Sequence, residues 1–259
     1  MSRRLHVDRS SLAHRIQYAV KHPARIPPYV RRWVRDLRLR RLTGGDHVAY
    51  YRAVMKEDTR RDPESAVGSA THDRWLALGE MQYDYLVRHG LSPEDRMLEI
   101  GCGNLRAGRL FIAYLDASHY HGIDISPEIL LSAQETLVRH GLQAKLPHLT
   151  LVRDLRLAHL PDAYFTVVHA HSVFSHSPIE VIDQCLAHVG RVLAPGGSFD
   201  FTYNRTVDRE HHVLREDFYY RTETLVRLAE THGLRARPMT DWDELPHRQS
   251  KIRVMRPEE

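Results

Sequence analysis

Glu99, Asp124 and Asp154 each stand at or just beyond the end of a short apolar run, and Glu99 is followed almost at once by Gly101-Cys102-Gly103. A glycine turn between a strand and a helix lets backbone come close to a small ligand. Asp124 lies 21 positions beyond Gly103, near the spacing of about 20 residues at which a βαβ unit delivers a carboxylate to ribose hydroxyls. The pattern therefore suits a ligand that carries a nucleoside. His171, His176 and Tyr203 are candidate general bases, because the strands predicted over 163–170 and 198–203 put all three near one edge of a sheet. Each also has a structural reading: His171 as a wall of the ligand site, His176 as a brace for the helix starting near Pro178, and Tyr203 as packing. Among the 19 histidines, His169 and His171 share a strand face and His211-His212 sit in a loop. No Asp, Glu or Cys set completes a shell around them, so no metal is expected.

These side chains need a frame, and the apolar periodicity supplies one. Trp75, Leu76, Leu78, Met81, Tyr85 and Leu86 predict a helix from Thr71 to His89, capped by Gly90. Placed just before the first strand, this helix can cover a ligand crevice, which makes Gly79, Gln82 and Tyr83 candidate contributors. Strands follow at 96–100, 120–125, 149–153, 163–170 and 198–203, separated by helices over 106–115, 126–140 and 178–192. Pro127 suits the first position of the second of these helices, behind Ser126 as its cap. Leu193-Ala194-Pro195-Gly196-Gly197 predicts a sharp turn, 204–217 a loop, 222–232 a helix, and 234–238 and 251–255 two closing strands. Alternation of strand and helix implies parallel strands with right-handed crossovers, hence a doubly wound sheet.

The 259 residues can bury one substantial core, and the chain reads as a basic helical extension over 1–45 followed by one catalytic domain over 46–259. Residues 1–45 hold 12 Lys or Arg against Asp8 and Asp36, so the net charge of +4 conceals a net acidic remainder. A helix is predicted from Ser10 to Lys21 and another from near Pro28, with Val30, Trp33, Val34 and Leu37 on one face and arginines around the rest. The bland reading docks that stripe on the protein's own core. The alternative lays residues 28–42 on nucleic acid or an anionic membrane surface. Two cysteines give no disulfide framework, and no apolar run approaches the roughly 18 residues that span a bilayer, which points to the cytoplasm. Oligomeric state leaves no trace in the sequence.

Two ligand classes compete for the glycine turn. A dinucleotide fingerprint requires G-x-G-x-x-G, but Arg106 occupies the third glycine position. The motifs Leu98-Glu99-Ile100-Gly101-Cys102-Gly103, Gly122-Ile123-Asp124-Ile125-Ser126, Asp154, Ala170-His171-Ser172-Val173-Phe174-Ser175-His176 and Leu193-Ala194-Pro195-Gly196-Gly197 follow in order. In them the chain resembles the class I S-adenosylmethionine-dependent methyltransferases, from about Trp75 to the C-terminus. The resemblance implies a seven-stranded, mostly parallel Rossmann-like sheet and S-adenosylmethionine as cofactor. It implies that Gly101, Cys102 and Gly103 cradle the methionine part with Glu99 and Gln82 nearby. Asp124 would accept from the ribose hydroxyls, Ile125 would pack on adenine, Asp154 with the Leu155 backbone would meet the adenine amino group, and Ala170 and His171 would line the methionine side. Where Leu105 stands the family more often has glycine, so Leu105 must point away from the ligand.

The run around Gly101 looks like a small-molecule or sugar-modifying branch, and an Asn-Pro-Pro-Tyr type motif after strand four is absent. The expected activity is methylation of a hydroxyl or amine on a sugar or secondary metabolite, as in natural-product or polysaccharide modification. Two alternatives stay open: methylation of RNA or protein guided by the basic helix, and a non-catalytic scaffold that binds the cofactor.

Overall fold

The structure is a computed structural model that describes residues 26–243 and 249–257. The helix predicted over Ser10 to Lys21 lies outside them. The chain divides into two units at Gly45 and Asp46.

In the first unit, helix α1 (Ile26–Thr43) carries Arg40 and Arg41 in its last turn, where cations oppose the negative end of the helix dipole. Its end is set by Gly44 and Gly45, both at positive φ. Asp36 and Leu39 are buried, while Val30, Trp33, Val34 and Leu37 are exposed.

The second unit opens with α2 (His47–Arg61) and the short α3 (Pro63–Ala66), then α4 (His72–Arg88). Side chains of Asp46, Asp62 and Thr71 cap the three N-termini by accepting backbone N–H bonds. The sheet then begins with β1 (Met97–Ile100) and continues through α5 (Gly108–Tyr114), β2 (Tyr120–Asp124), α6 (Pro127–Arg139), β3 (His148–Leu151), β4 (Phe165–Ala170) and α7 (Ile179–Val192). The long β5 (Leu193–Arg205), β6 (His211–Val213), β7 (Asp217–Tyr220), α8 (Thr222–Thr231), β8 (Arg235–Pro238) and β9 (Ser250–Met255) complete it.

Strands β3, β2, β1, β4 and β5 lie side by side and parallel. β9 joins β5 antiparallel, and β8 joins β9 antiparallel. That is the seven-stranded, mostly parallel sheet the resemblance implies. Two further short strands make nine: β7 pairs parallel with Asn204 and Arg205 at the end of β5, and β6 pairs with β7. They fill the stretch predicted as a loop over 204–217, where each is too short to show a two-residue period.

Alternation along β1 serves two cores. Met97 shares one with Tyr85 of α4 and Phe111 of α5, and Leu98 and Ile100 share the other with Leu186 and Val189 of α7 and Leu225 of α8. Strands covered on both faces need apolar residues at successive positions, which is why β1 reads as a short continuous run. Glu99 is the exception, and the site begins with it.

Candidate active site

The glycine turn owes its shape to left-handed backbone at Gly101 (φ 69°), Gly103 (φ 55°) and Leu105 (φ 63°). The first two positions also lack room. A Cβ on Gly101 would lie 2.4 Å from Val173 Cγ2, and one on Gly103 would lie 2.9 Å from Val67 Cγ1. Leu105 meets the left-handed cost of about 1–2 kcal/mol by burying its side chain in the core that holds Phe111 and Tyr120. The helix α4 comes equally close: a Cβ on Gly79 would sit 2.4 Å from the Arg106 carbonyl oxygen.

The sheet register sets Glu99 between Gly122 and His169. Glu99 is 5% exposed, and its Oε2 accepts the Tyr120 hydroxyl. Burial pushes its carboxyl up to about 7, against the opposing pull of the Tyr120 hydrogen bond and the Arg106 guanidinium. Gln82, reaching from α4, accepts from His169 Nε2 at 3.2 Å and donates to the Leu78 carbonyl at 2.8 Å. Burial and the neighbouring Lys251 cation drive His169 down to about 3, so it stays neutral.

Asp124 ends β2 with both oxygens engaged: Oδ2 accepts Gly103 N–H at 3.0 Å and Oδ1 accepts Ser126 N–H at 2.9 Å. It thereby ties the glycine turn to the cap of α6. Burial raises its pKa, while these N–H bonds hold the rise back. Each carboxylate oxygen has two lone pairs, so acceptor capacity remains for two ribose hydroxyls. Ile125 follows, half-buried, and Cys102 is buried beneath the turn with its thiol pushed up by burial and by Asp124.

The structure thus brings Gln82, Glu99, Gly101, Cys102, Gly103, Asp124 and Ile125 to one stretch of the sheet's carboxyl edge. Ala170 is fully buried at the end of β4, and His171 behind it packs its ring edge-on against Trp242, 5.7 Å between centroids. Asp154 is exposed and accepts the Arg156 N–H. The Leu155 N–H donates to Gln184 Oε1 at 2.9 Å, so this amide serves α7.

Two candidate bases are placed elsewhere. Tyr203 is fully buried in the core with Tyr220 and Leu225, and its hydroxyl meets Thr222 Oγ1 at 2.6 Å. Strand alternation explains it: in β5 the neighbour Thr202 accepts Ser172 N–H, and Tyr203 points to the opposite face, toward α8. His176 donates from Nδ1 to the Glu216 carbonyl at 2.6 Å, stacks on Tyr51, and its own carbonyl accepts from His47 Nε2 at 2.8 Å. Its bonds are those of a brace between the turn after β4, the strand β7 and helix α2.

Sequence reasoning missed the roof. Residues 46–70 show no pattern beyond a short helix, yet they lie across the carboxyl edge. Arg52 donates from Nε to the Ile125 carbonyl at 2.7 Å and from Nη2 to the Val152 carbonyl at 3.3 Å. Arg106 donates to the Val67 carbonyl at 2.6 Å, and Asn104 donates to the Pro63 carbonyl at 3.3 Å while accepting Trp75 Nε1 at 3.0 Å. Tyr51 beside them has its phenol pushed up by burial and by the field of Asp217, Glu216 and Asp124. Arg106, which counts against a dinucleotide, thus anchors this segment.

A second group went unread. Lys251 is 1% exposed, between the rings of Trp242 and Tyr85 at 4.0 and 4.2 Å, and 3.7 Å from Asp200. Asp200 also receives two bonds from Arg253, at 2.6 and 2.8 Å. Burial lowers Lys251 to about 8, opposed by Asp200.

Residues 98–199 match the family model described as a methyltransferase domain, and their glycine turn and Asp124 form the acceptor-rich edge just described. Over these residues the chain is similar to methyltransferase domains. It is 30% identical over 128 residues to EEF1A lysine methyltransferase 4 of Mus musculus, covering 44% of this chain and 48% of that protein. It is 25% identical over 178 residues to trans-aconitate 2-methyltransferase of Rhodopseudomonas palustris (strain BisB18), covering 67% and 61%. The chain therefore spans less than two thirds of either relative. The crystal structure of magnesium protoporphyrin IX methyltransferase from Synechocystis PCC 6803 with bound S-adenosylmethionine has the same fold. It superposes with a TM-score of 0.53 at 15% identity, covering 73% of this chain and 86% of that one.

Proposed function

We propose that the protein methylates a hydroxyl or amine of a small molecule, a sugar or secondary metabolite, and that residues 46–259 form the catalytic domain behind an extension over 1–45. The observation that carries this reading is the roof over the carboxyl edge, from His47 to Ser69. It is tied down by Arg52 on the Ile125 and Val152 carbonyls and by Arg106 on the Val67 carbonyl. A carboxyl edge covered by the protein's own chain favours an acceptor small enough to be enclosed beneath it.

When bound, S-adenosylmethionine supplies a methyl group already activated on a sulfonium. Gly101, Cys102 and Gly103 would hold its methionine part by backbone, Glu99 would take its amino group, and Asp124 its two ribose hydroxyls. Ile125 would pack on adenine beside Asp154 and Leu155, with Ala170, His171 and Gln82 on the methionine side. Rate then comes mainly from alignment. Where the acceptor is a hydroxyl, His171 is the base this arrangement favours, since Tyr203 faces α8 and His176 is occupied as a brace. The free, buried Cys102 and Cys185 support a reducing, cytoplasmic setting. Among the described residues no helix is long and apolar enough to cross a membrane.

The test is incubation with methyl-labelled cofactor and a fractionated cell extract. Label in small molecules or saccharide supports the reading, and label confined to RNA or protein overturns it. A protein acceptor is the second reading, favoured by the lysine methyltransferase of mouse. Cofactor binding with no label anywhere would leave a scaffold.

A further inference from the structure

Helix α1 carries its apolar side chains on the outside. Val30, Trp33, Val34 and Leu37 are 49%, 48%, 54% and 37% exposed, whereas Asp36 and Leu39 are each only 2% exposed. At 3.6 residues per turn the four cover an arc of roughly 100°. Asp36 and Leu39 fall on the other side of the helix. Arg31, Arg38, Arg40 and Arg41 are exposed around the stripe, and Asp36, the helix's one acid, lies 3.7 Å from Arg40. A folded protein in water gains by turning such a stripe inward.

We propose that α1 is an interfacial helix that lays Val30, Trp33, Val34 and Leu37 into an anionic lipid surface, with its arginines at headgroup level. An aliphatic stripe with one tryptophan, flanked by cations on a helix of 18 residues, has the composition of a helix lying in the membrane plane. Phosphate headgroups complement the charge of the exposed arginines and acyl chains cover the stripe at the same time. A nucleic acid complements only the arginines and offers nothing to bury Val30, Val34 and Leu37. A second copy of the same helix complements only the stripe and brings six arginines against six.

The fluorescence of the chain reports on this directly. Of its three tryptophans, Trp75 and Trp242 are already buried, so a blue shift on adding vesicles reads Trp33. The full chain is mixed with phosphatidylcholine vesicles, with and without phosphatidylglycerol, and with RNA. Anionic vesicles should sediment the protein roughly tenfold more strongly than neutral ones and shift its emission to the blue. Trp33→Glu and Val34→Glu should each abolish sedimentation while leaving cofactor affinity unchanged. The proposal is overturned by an absence of binding to anionic vesicles, or by binding that Val34→Glu does not weaken. Adsorption without a blue shift, or binding to RNA but not to vesicles, overturns it as well. None of these outcomes depends on which acceptor is methylated.

Discussion

Glu99→Gln separates the stability of this protein from its use of the cofactor. In the unfolded chain the carboxyl titrates at the ordinary 4.5, and in the folded chain burial raises it to about 7. Between those values the folded state binds the extra proton, so stability is fully present below pH 4.5 and is lost as the pH rises to about 7. At about 1.4 kcal/mol per unit, the change of 4.5 to about 7 makes the ionised Glu99 cost about 3 kcal/mol at pH 8. The glutamine amide of the variant does not titrate and can still accept the Tyr120 hydroxyl through its oxygen. Urea unfolding at pH 5, 6, 7 and 8 should therefore show the variant gaining on the wild type as pH rises, by up to about 3 kcal/mol. Calorimetry at pH 8 should show S-adenosylmethionine bound at least roughly tenfold more weakly, since a charged hydrogen bond to its amino group is lost. Parallel stability profiles from pH 5 to 8 would refute the elevated carboxyl. A stabilised variant with undiminished cofactor affinity would refute the role of Glu99 in binding.

Three other changes probe the same edge. Asp124→Asn should weaken cofactor binding by at least about tenfold and lower the melting temperature, because Gly103 and Ser126 can no longer both find an acceptor; calorimetry and thermal unfolding check both. Gly79→Ala should cost about 1–3 kcal/mol in urea unfolding, since its Cβ meets the backbone oxygen of Arg106 rather than a side chain that can move. Tyr203→Phe should leave the methyl-transfer rate within about twofold and cost about 1 kcal/mol of stability through the lost bond to Thr222; a larger fall in rate at unchanged cofactor affinity would return Tyr203 to the list of bases.

The sequence by itself determined the sheet and the glycine turn, because those signals are local. A buried parallel strand must be apolar at successive positions, a left-handed turn selects glycine at 101 and 103, and Asp124 falls a fixed βαβ length beyond. The order β1 to β5, the helix ahead of β1 and the closing β8 and β9 were legible for that reason. Only the tertiary structure decided which way side chains face across several elements. Tyr203 and Thr202 differ by one position, and the register of β5 against β4 and β9 turned Thr202 toward Ser172 and Tyr203 toward α8. The His176 carbonyl and ring find partners 129 and 40 residues away, distances at which no sequence period operates. The roof over 46–69 was invisible for the same reason: Arg52 and Arg106 bond to backbone carbonyls, which every residue possesses, so nothing in the sequence marks their partners. The outward stripe of α1 also depends on what is packed around the helix, since the 3.6-residue period locates an apolar face without saying what lies against it.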